Sequence, residues 1–486
     1  MIRRSLVFSF ADKYANVVLG LATMAIVSRL LTPAEVGLFL VASAAVILFE
    51  AFRDFGVGAC IIQERELTPA FVRTAFTVMA LLSAALGLTL FLAAGPVAHF
   101  YGEPGLERLV RIATLGFVSA PFSSPLLALM RRDMAFGAVA CISVTASVVT
   151  AGATIALALL GFGAASFVWA SVAAAAVTTA GAFIARPALW AFRPTLVEWR
   201  SVVPFGAWSS IVTLLGLLYD FMPRLVLGRT IGVDAVGLFG RAVSLCQLPE
   251  RACLSAVQPV ILPALSARVR AGGDVAQPYL LGLANITGFQ WPALVCLALL
   301  ADPIVRVMLG GQWHEVVPLV RIVALATLAV FPVYLTYPVL VALGRLKDMV
   351  LVSLLTLPPS ILILLGASRF GLEAAALSLL VTGPLQSLVA LTVIRRHLRF
   401  GWGELARSMV PSAVVTAFTA VLPACVIAWS QGGLALTVPE AALAGAGAAL
   451  GWLAGLRLAR HPLEPEVRRA GLALRRVLQR PRVRLP

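Results

Sequence analysis

Long apolar segments alternate with short polar ones along the whole chain. Fourteen stretches of about 20 or more mostly apolar residues are separated by charges and turn residues. A helix needs about 20 apolar residues to cross a bilayer, and in lipid its backbone polar groups must be paired internally. The pattern therefore predicts an all-α polytopic membrane protein with about 14 transmembrane helices. The period-two alternation of a membrane β-barrel is absent from the sequence.

The predicted spans lie near residues 5–31, 36–62, 71–98, 106–130, 136–160, 164–186, 201–231, 235–262, 277–301, 315–344, 348–367, 371–394, 408–429 and 438–457. The composition agrees with this assignment, because 60% of the 486 residues are hydrophobic and only 12% are charged. A soluble protein of this length has no interior large enough to hide so much apolar surface.

The basic residues are distributed unevenly between the two sides of the predicted membrane. With the N-terminus inside, 26 of the 38 Lys and Arg residues fall on the inner side, seven near the outer ends and five within spans. Cytoplasmic loops carry such an excess of basic residues. Both termini are therefore predicted to be cytoplasmic, and the net charge of +16 reflects the inner loops rather than binding to nucleic acid.

Signatures of a cofactor, a metal ion or an ATPase are missing from the sequence. The six cysteines lie in apolar segments without a CxxC pair or metal-type spacing, which favours a role as small core side chains. GxGxxG, P-loop and HExxH motifs are also absent. We expect no cofactor, no metal ion and no ATP hydrolysis in this chain.

The sequence contains an internal repeat. RLLTPAEVGLF at Arg29 returns as RTIGVDAVGLF at Arg229, and LVRIATL at Leu109 returns as LVRIVAL at Leu319. Spans 1–6 and 7–12 are therefore predicted to be two copies of one six-helix unit, and because six is even, both copies enter the membrane from the same side. The predicted domains are an N-lobe at 1–186, a cytoplasmic linker at 187–200, a C-lobe at 201–396, helices 13 and 14 at 397–457 and a basic cytoplasmic tail at 458–486.

Ionisable residues within the predicted spans concentrate on spans 1, 2, 7 and 8, which are equivalent helices of the two lobes. They are Asp12, Lys13, Glu50, Arg53, Asp54, Asp220, Arg224, Arg241, Glu250 and Arg251. A charge at the centre of a membrane helix costs about 2.5–3.5 kcal/mol on insertion scales, so this concentration needs a reason. Structural ion pairs between helices are one hypothesis. A water-filled substrate cavity between the lobes is the hypothesis we favour.

An acid and an arginine recur at the same place in both lobes. Glu50 and Glu250 are 200 residues apart, and Arg53 and Arg251 follow them closely. Glu50 and Arg53 also share one helical face with Asp54, because the three are spaced i, i+3 and i+4. The recurrence predicts that these charges lie near the same depth in both lobes.

The chain resembles the Wzx-type polysaccharide exporters, which are lipid-linked oligosaccharide flippases of the MOP (MATE-like) superfamily. The resemblance covers nearly the whole chain and rests on segments including SRLLTPAEVGLF, FRDFGVGACIIQ, LMRRDMAF, LPERACLSAVQPVILPALS and ALGRLKD. It implies two six-helix lobes around a central cavity, two further C-terminal helices and alternating access. The implied substrate is a polyprenyl-pyrophosphate-linked oligosaccharide, moved from the cytoplasmic to the periplasmic leaflet of the bacterial inner membrane for O-antigen, exopolysaccharide or capsule biosynthesis.

The resemblance gives the charged residues expected roles. Arg53 and Arg251 are expected to bind the pyrophosphate, because guanidinium groups donate in a planar fork and stay charged, while Glu50 and Glu250 hold them between cycles. A separate hypothesis concerns energy coupling: because desolvation raises the pKa of a carboxylate, Glu50, Asp54 or Glu250 takes up a proton during the transport cycle. The expected partners are the lipid-linked substrate, membrane lipids and a polysaccharide polymerase or export machinery. The basic tail either lies on anionic lipid or is simply solvated.

Two other classes of protein stay open. The same superfamily contains multidrug cation antiporters, which typically have twelve spans and an acid-dominated cavity, whereas basic and acidic residues are balanced in this set. A membrane oligosaccharide polymerase or ligase would need catalytic groups in a sizeable outer loop. The outer loops here are short, and His99, Glu103, His314 and Glu315 are interpreted as loop residues. We expect a transporter rather than an enzyme.

Overall fold

The computed structural model describes the backbone of residues 2–54, 56–64 and 66–469. Within the helices it leaves the side chains at 2–12, 59, 63, 201–212, 252–260, 263 and 346 undescribed. Every regular element in the described part of the chain is a helix, and no strand occurs there. The prediction of an all-α protein is therefore confirmed.

Within the described residues, α-helices follow one another along the chain, together with two short 3-10 helices at Leu189–Phe192 and Gly311–Trp313. They are α1 (Ile2–Leu30), α2 (Pro33–Asp54), α3 (Val57–Gln63), α4 (Pro69–Tyr101), α5 (Pro104–Ala113), α6 (Leu115–Arg132), α7 (Phe136–Leu159), α8 (Ala165–Ala185), α9 (Trp199–Thr230), α10 (Val233–Cys246), α11 (Leu248–Arg270), α12 (Ala276–Leu299), α13 (Ala301–Met308), α14 (Val316–Leu328), α15 (Val333–Ala342), α16 (Leu346–Ser368), α17 (Leu372–Leu377), α18 (Leu379–Leu398), α19 (Trp402–Trp429) and α20 (Val438–Leu458).

Eleven helices or helix pairs in the described residues are long and apolar enough to cross a membrane. The chain is therefore a polytopic membrane protein. The three remaining predicted spans fall on α1, α9 and the pair α10 and α11, all of which include residues with undescribed side chains. The count of fourteen and the repeat stay predictions.

The second helix of each predicted lobe is interrupted where the charges lie. Continuous spans were expected over 36–62 and 235–262. In the first, α2 ends at Asp54, and Gly56 has a left-handed φ of 60° before α3 begins. A residue with a Cβ is strained in that conformation, so glycine permits this break. In the second, α10 ends at Cys246 and α11 begins at Leu248, with Gln247 in an ordinary right-handed conformation.

The chain divides into two compact units. The first contains residues 1–242, 306–316 and 357–378, and the second contains residues 243–305, 317–356 and 379–486. One core of the first unit is built around Phe71 and Met79 of α4, packed with α3 and α6. A core of the second unit is built around Tyr279 and Leu283 of α12 and Ile394 of α18. Burial of such apolar side chains against one another fixes the helices within each unit.

Within the first unit, the N-terminal turns of α2 and α10 cross with their backbones in contact. A Cβ placed on Gly37 would clash with the Val233 carbonyl and lie 2.9 Å from the Gly237 amide nitrogen. A Cβ placed on Gly237 would clash in the same way with the Pro33 carbonyl. Both positions belong to the VGLF segment that occurs twice in the sequence. Only glycine at both positions permits this approach.

Within the second unit, the chain that follows α20 is anchored by a buried histidine. His461 is 1% exposed, and its Nε2 lies 3.0 Å from the Ser412 hydroxyl of α19. Its Nδ1 accepts a hydrogen bond of 3.1 Å from the Leu463 amide. The ring occupies the space beside Gly288 of α12, where a Cβ would lie 2.6 Å from Nε2. A bulkier residue at position 288 would exclude the ring.

Candidate functional site

The charges in the last turns of α2 form one compact cluster. Arg53 is 8% exposed, and its Nη1 donates to Glu50 at 3.1 Å. Its Nε and Nη2 donate to Asp54 at 3.1 and 2.9 Å. The other face of the guanidinium lies 5.0 Å from the centre of the Phe117 ring. Arg53 thus has two carboxylates and an aromatic face as partners.

The position of this cluster on α2 also suits its charge. Arg53 lies in the last turn of α2, just before the break at Gly56. The carbonyl groups at a helix C-terminus carry a partial negative charge, which stabilises a cation there. The charges expected in the middle of a membrane span therefore lie at the end of a helix, which lowers the cost of keeping Arg53 buried.

Glu50 and Arg53 line a cavity of about 400 Å³ inside the first unit. Its walls come from α2, from α5 and α6 and from α8. Five hydroxyl side chains share the lining with these two charges: Ser43, Ser119, Ser123, Ser171 and Thr178. The volume lies within the range of about 300–1,000 Å³ that is usual for ligand sites. The two charges were predicted from the sequence, but the hydroxyl groups were not, because single Ser and Thr residues are common in membrane helices.

The predicted site residues on α1 and α9 are only partly described. The side chain of Asp12 lies outside the described residues, and Lys13 is half-buried on α1. Asp220 and Arg224 lie one turn apart on α9, where their charges attract each other. Arg224 also lies 4.9 Å from the centre of the Phe221 ring. Lys13, Asp220 and Arg224 are thus further charges of the first unit. Neither Asp220 nor Arg224 is among the residues that line the 400 Å³ cavity.

Arg241 of α10 is, like Arg53, a buried cation among the predicted site residues. It is 9% exposed, and its guanidinium lies 5.4 Å from the centre of the Trp313 ring. Its Nε and Nη2 atoms are buried and have no acceptor among the described residues. A buried donor without an acceptor costs about 1–3 kcal/mol, and more when it is charged. An anionic ligand would therefore stabilise this arginine by accepting hydrogen bonds from its two unsatisfied nitrogen atoms.

In the second unit, the predicted acid Glu250 lies beside a neutral group. The carboxylate of Glu250 lies beside the Tyr334 hydroxyl of α15, which also accepts a hydrogen bond of 3.0 Å from Gln290 of α12. Arg251 is exposed and donates to the Gln247 side chain at 2.9 Å. Its described contact is thus an amide, instead of the acid expected from the sequence. Tyr334 and Gln290 were not predicted, because uncharged residues carry no signal in a search for intramembrane charges.

No group of three or more His, Cys, Asp or Glu residues in the described part of the chain is arranged to hold a metal ion. The features that the described residues do offer are a hydroxyl-lined cavity with a charged edge and a buried, unsatisfied arginine. Such features can bind a polar ligand within a membrane protein.

The fold is similar to those of two solved membrane proteins. It is similar to the solved structure of a lipid II flippase, MurJ, in an inward closed conformation, with a TM-score of 0.75 and 12% sequence identity over 93% of this chain and 98% of that chain. It is also similar to an inward-facing multidrug resistance transporter of the MATE family, with a TM-score of 0.62 and 17% identity over 83% of this chain and 99% of that chain.

Residues 26–318 match the family model described as "Polysaccharide biosynthesis protein", and the chain belongs to that family. One relative is the "Lipopolysaccharide biosynthesis protein WzxC" of Escherichia coli (strain K12), 24% identical over 64% of this chain and 63% of its own length. Another is the "Succinoglycan biosynthesis transport protein ExoT" of Rhizobium meliloti (strain 1021), 25% identical over 71% of this chain and 70% of its own. The match thus spans less than two thirds of the first relative. The resemblance to Wzx-type exporters is confirmed.

Proposed function

We propose that this protein is a flippase that moves a polyprenyl-pyrophosphate-linked oligosaccharide from the cytoplasmic to the periplasmic leaflet of a bacterial inner membrane by alternating access. The product would serve O-antigen, exopolysaccharide or capsule biosynthesis. The observation that carries the proposal is a cavity of about 400 Å³, lined in part by five hydroxyl groups and two charged residues, inside a polytopic membrane protein. Membership of a polysaccharide biosynthesis family and likeness to a lipid II flippase fold support the same conclusion.

The finer architecture belongs to this proposal. It has 14 transmembrane helices, lobes at 1–186 and 201–396 joined by a linker, two further helices at 397–457, and both termini in the cytoplasm. The inner excess of Lys and Arg supports the orientation, because positively charged loops stay inside. A reporter enzyme that is active only in the periplasm should be inactive when it is fused after Pro486. An active fusion would overturn the orientation.

The ten charged residues of spans 1, 2, 7 and 8 are proposed as the substrate cavity. Among them, Arg241 is the candidate ligand of the pyrophosphate, because two of its buried nitrogen atoms have no acceptor among the described residues. Phosphate oxygens would satisfy both donors at once in a forked geometry. Opening of the transporter must then bring Arg241 to the substrate, since the side chain is only 9% exposed in this structure.

A transporter needs no enzymatic step, and the proposal includes none. The relatives carry the names of biosynthesis and transport proteins, and a polysaccharide polymerase or export machinery is the proposed protein partner. A multidrug antiporter is the alternative from the same superfamily. It predicts an acid available to bind a cationic drug, whereas Glu50 already accepts from Arg53.

The test is transport in proteoliposomes. A lipid-linked oligosaccharide with a fluorescent NBD group on the sugar is bleached by dithionite, which does not cross the bilayer. Protein-free vesicles should lose only the outer-leaflet signal, and wild-type vesicles should lose nearly all of it. Arg241→Ala should behave like protein-free vesicles, although the variant is inserted. Equal bleaching with and without wild-type protein would overturn the proposal, as would extrusion of ethidium by cells that express the protein without moving the lipid.

A further inference from the structure

The hydroxyl groups that line the 400 Å³ cavity all use their hydrogen atoms on their own helices. Ser171 donates to the Val168 carbonyl at 2.7 Å, and Thr178 donates to Ala174 at 2.8 Å. The three other serines behave in the same way: Ser43 donates to Leu40 at 3.0 Å, Ser119 to Gly116 at 3.1 Å and Ser123 to Ala120 at 3.3 Å. A hydroxyl group has one hydrogen and two lone pairs. Each oxygen can therefore offer the cavity only an acceptor.

The charges at the edge of the cavity favour the same kind of ligand. Among the described residues of the lining, Arg53 is the one cation, and it is held by Glu50 and Asp54. One positive charge faces two negative charges, so the cluster as a whole is anionic. A pyrophosphate would meet acceptor oxygens, a surplus of negative charge and a guanidinium that is already occupied. The repulsion and desolvation would be unfavourable for an anion in this cavity.

A sugar has the opposite character. Its hydroxyl and acetamido groups are neutral donors, and each donor gains a hydrogen bond from an acceptor that has no hydrogen of its own to offer. We infer that this cavity of the first unit binds a sugar residue of the translocated oligosaccharide through Ser43, Ser119, Ser123, Ser171, Thr178 and Glu50. Arg53 is a positioning residue there, because it fixes the Glu50 carboxylate at the cavity edge.

This inference rests on the proposed function and divides the substrate between two sites. The sugar occupies the acceptor-lined cavity, and the pyrophosphate is left to cations outside it, such as Arg241. The division explains why the arginine beside a cavity in a strongly basic protein is held by two acids. It also explains why the serines on three separate walls all present the same polarity.

The test uses purified protein in nanodiscs and two soluble probes. One probe is the repeat-unit oligosaccharide released from the exported glycan by mild acid, and the other is inorganic pyrophosphate. Saturation-transfer NMR should detect the oligosaccharide on the wild-type protein, and millimolar pyrophosphate should not displace it. Ser171→Leu, which fills the cavity, should weaken binding at least tenfold. Thr178→Val keeps the shape but removes one acceptor, and should weaken binding about fivefold.

Thr89→Leu is the matched control. Thr89 is exposed on α4 and donates to the Ala85 carbonyl at 2.8 Å, so it has the same local geometry but lies outside the cavity. This variant should bind the oligosaccharide as the wild type does. The inference fails if pyrophosphate displaces the sugar, if wild-type protein binds no sugar, or if Thr178→Val and Ser171→Leu bind it normally. If the same wild-type preparation still moves the lipid in the dithionite assay, only the sugar site has failed. If it moves none, the proposed function has failed.

Discussion

The breaks in α2–α3 and α10–α11 occur at comparable places in the chain but set their charges at opposite helix ends. The break after Asp54 leaves Arg53 in the last turn of α2. The break at Gln247 leaves Glu250 in the first turn of α11. A helix C-terminus stabilises a cation and an N-terminus stabilises an anion. Displacing a break by a few residues thus decides whether the arginine or the acid is supported by the backbone.

The partners of the two acids follow from this difference. In the first unit Glu50 accepts from a buried arginine, and the cluster is an ion pair with one extra acid. In the second unit Glu250 lies beside a tyrosine hydroxyl, while Arg251 is exposed. Removing charge should therefore be far more damaging in the first unit than in the second.

The arginines provide the largest contrast. Arg53→Ala should lower the apparent stability by about 3 kcal/mol, because breaking a buried ion pair leaves carboxylates uncompensated. Arg251→Ala should change it by no more than about 0.5 kcal/mol, because the side chain is exposed. Thermal unfolding in detergent and the level of membrane-inserted protein measure both. Glu50→Gln added to Arg53→Ala should restore part of the loss. Equal effects of the two alanine variants would contradict the comparison.

The tyrosine should matter next. Tyr334→Phe removes the acceptor of Gln290 and the hydroxyl beside Glu250, so we expect a loss of about 1–3 kcal/mol. Tyr337→Phe on the same helix is the control, because that residue is 48% exposed. The same thermal measurement applies to both variants. A Tyr334→Phe variant as stable as the wild type would mean that Glu250 is held by other groups.

Substitutions at the two helix breaks should differ less in their effect on stability. Gly56→Ala places a Cβ on a residue with φ of 60°, which should cost about 1–2 kcal/mol. Gly58→Ala, two residues later in α3, meets no atom within 4 Å and should be neutral or slightly stabilising. Gln247→Ala should be nearly neutral at the second break, since its backbone is right-handed. A Gly56→Ala variant as stable as Gly58→Ala would show that the first break does not depend on glycine.

The smallest expected effect is a pH dependence in the second unit. Burial lowers the pKa of His461 below its ordinary value near 6.5. The neutral ring is therefore favoured in the folded protein, and its contribution is complete above about pH 6.5 and is lost as the pH falls below that value. Wild-type protein should lose about 1 kcal/mol more than His461→Gln between pH 7.5 and 5.5. Parallel melting curves for the two proteins across this range would contradict the assignment.

The sequence predicted the membrane fold, because apolar length is a strong signal. It also singled out the charged residues, because charges within apolar segments are rare. The sequence predicted one continuous helix over the residues of α2 and α3. The break at Gly56 was not predicted, because a glycine gives no sign in the sequence of whether its backbone is left-handed. The sequence also predicted that Arg251 would pair with an acid by analogy with Arg53. Which neighbour an arginine reaches depends on where the helix begins, and a shift of a few residues cannot be seen in hydropathy. The hydroxyl-lined cavity was missed because its serines come from segments far apart in the chain.

The crossing of α2 and α10 has a consequence for how this protein can change over generations. Gly37 and Gly237 face each other's helix, so a methyl group at either position forces the same separation of the two backbones. After Gly37→Ala has opened the gap, Gly237→Ala has little left to displace, and the double variant should be hardly worse than either single one. Such non-additivity is expected of sites in direct contact. Selection should therefore act on the two glycines together. The first substitution is strongly destabilising and should be removed by selection, but in a chain that has accepted it, substitution of the second glycine should be nearly neutral.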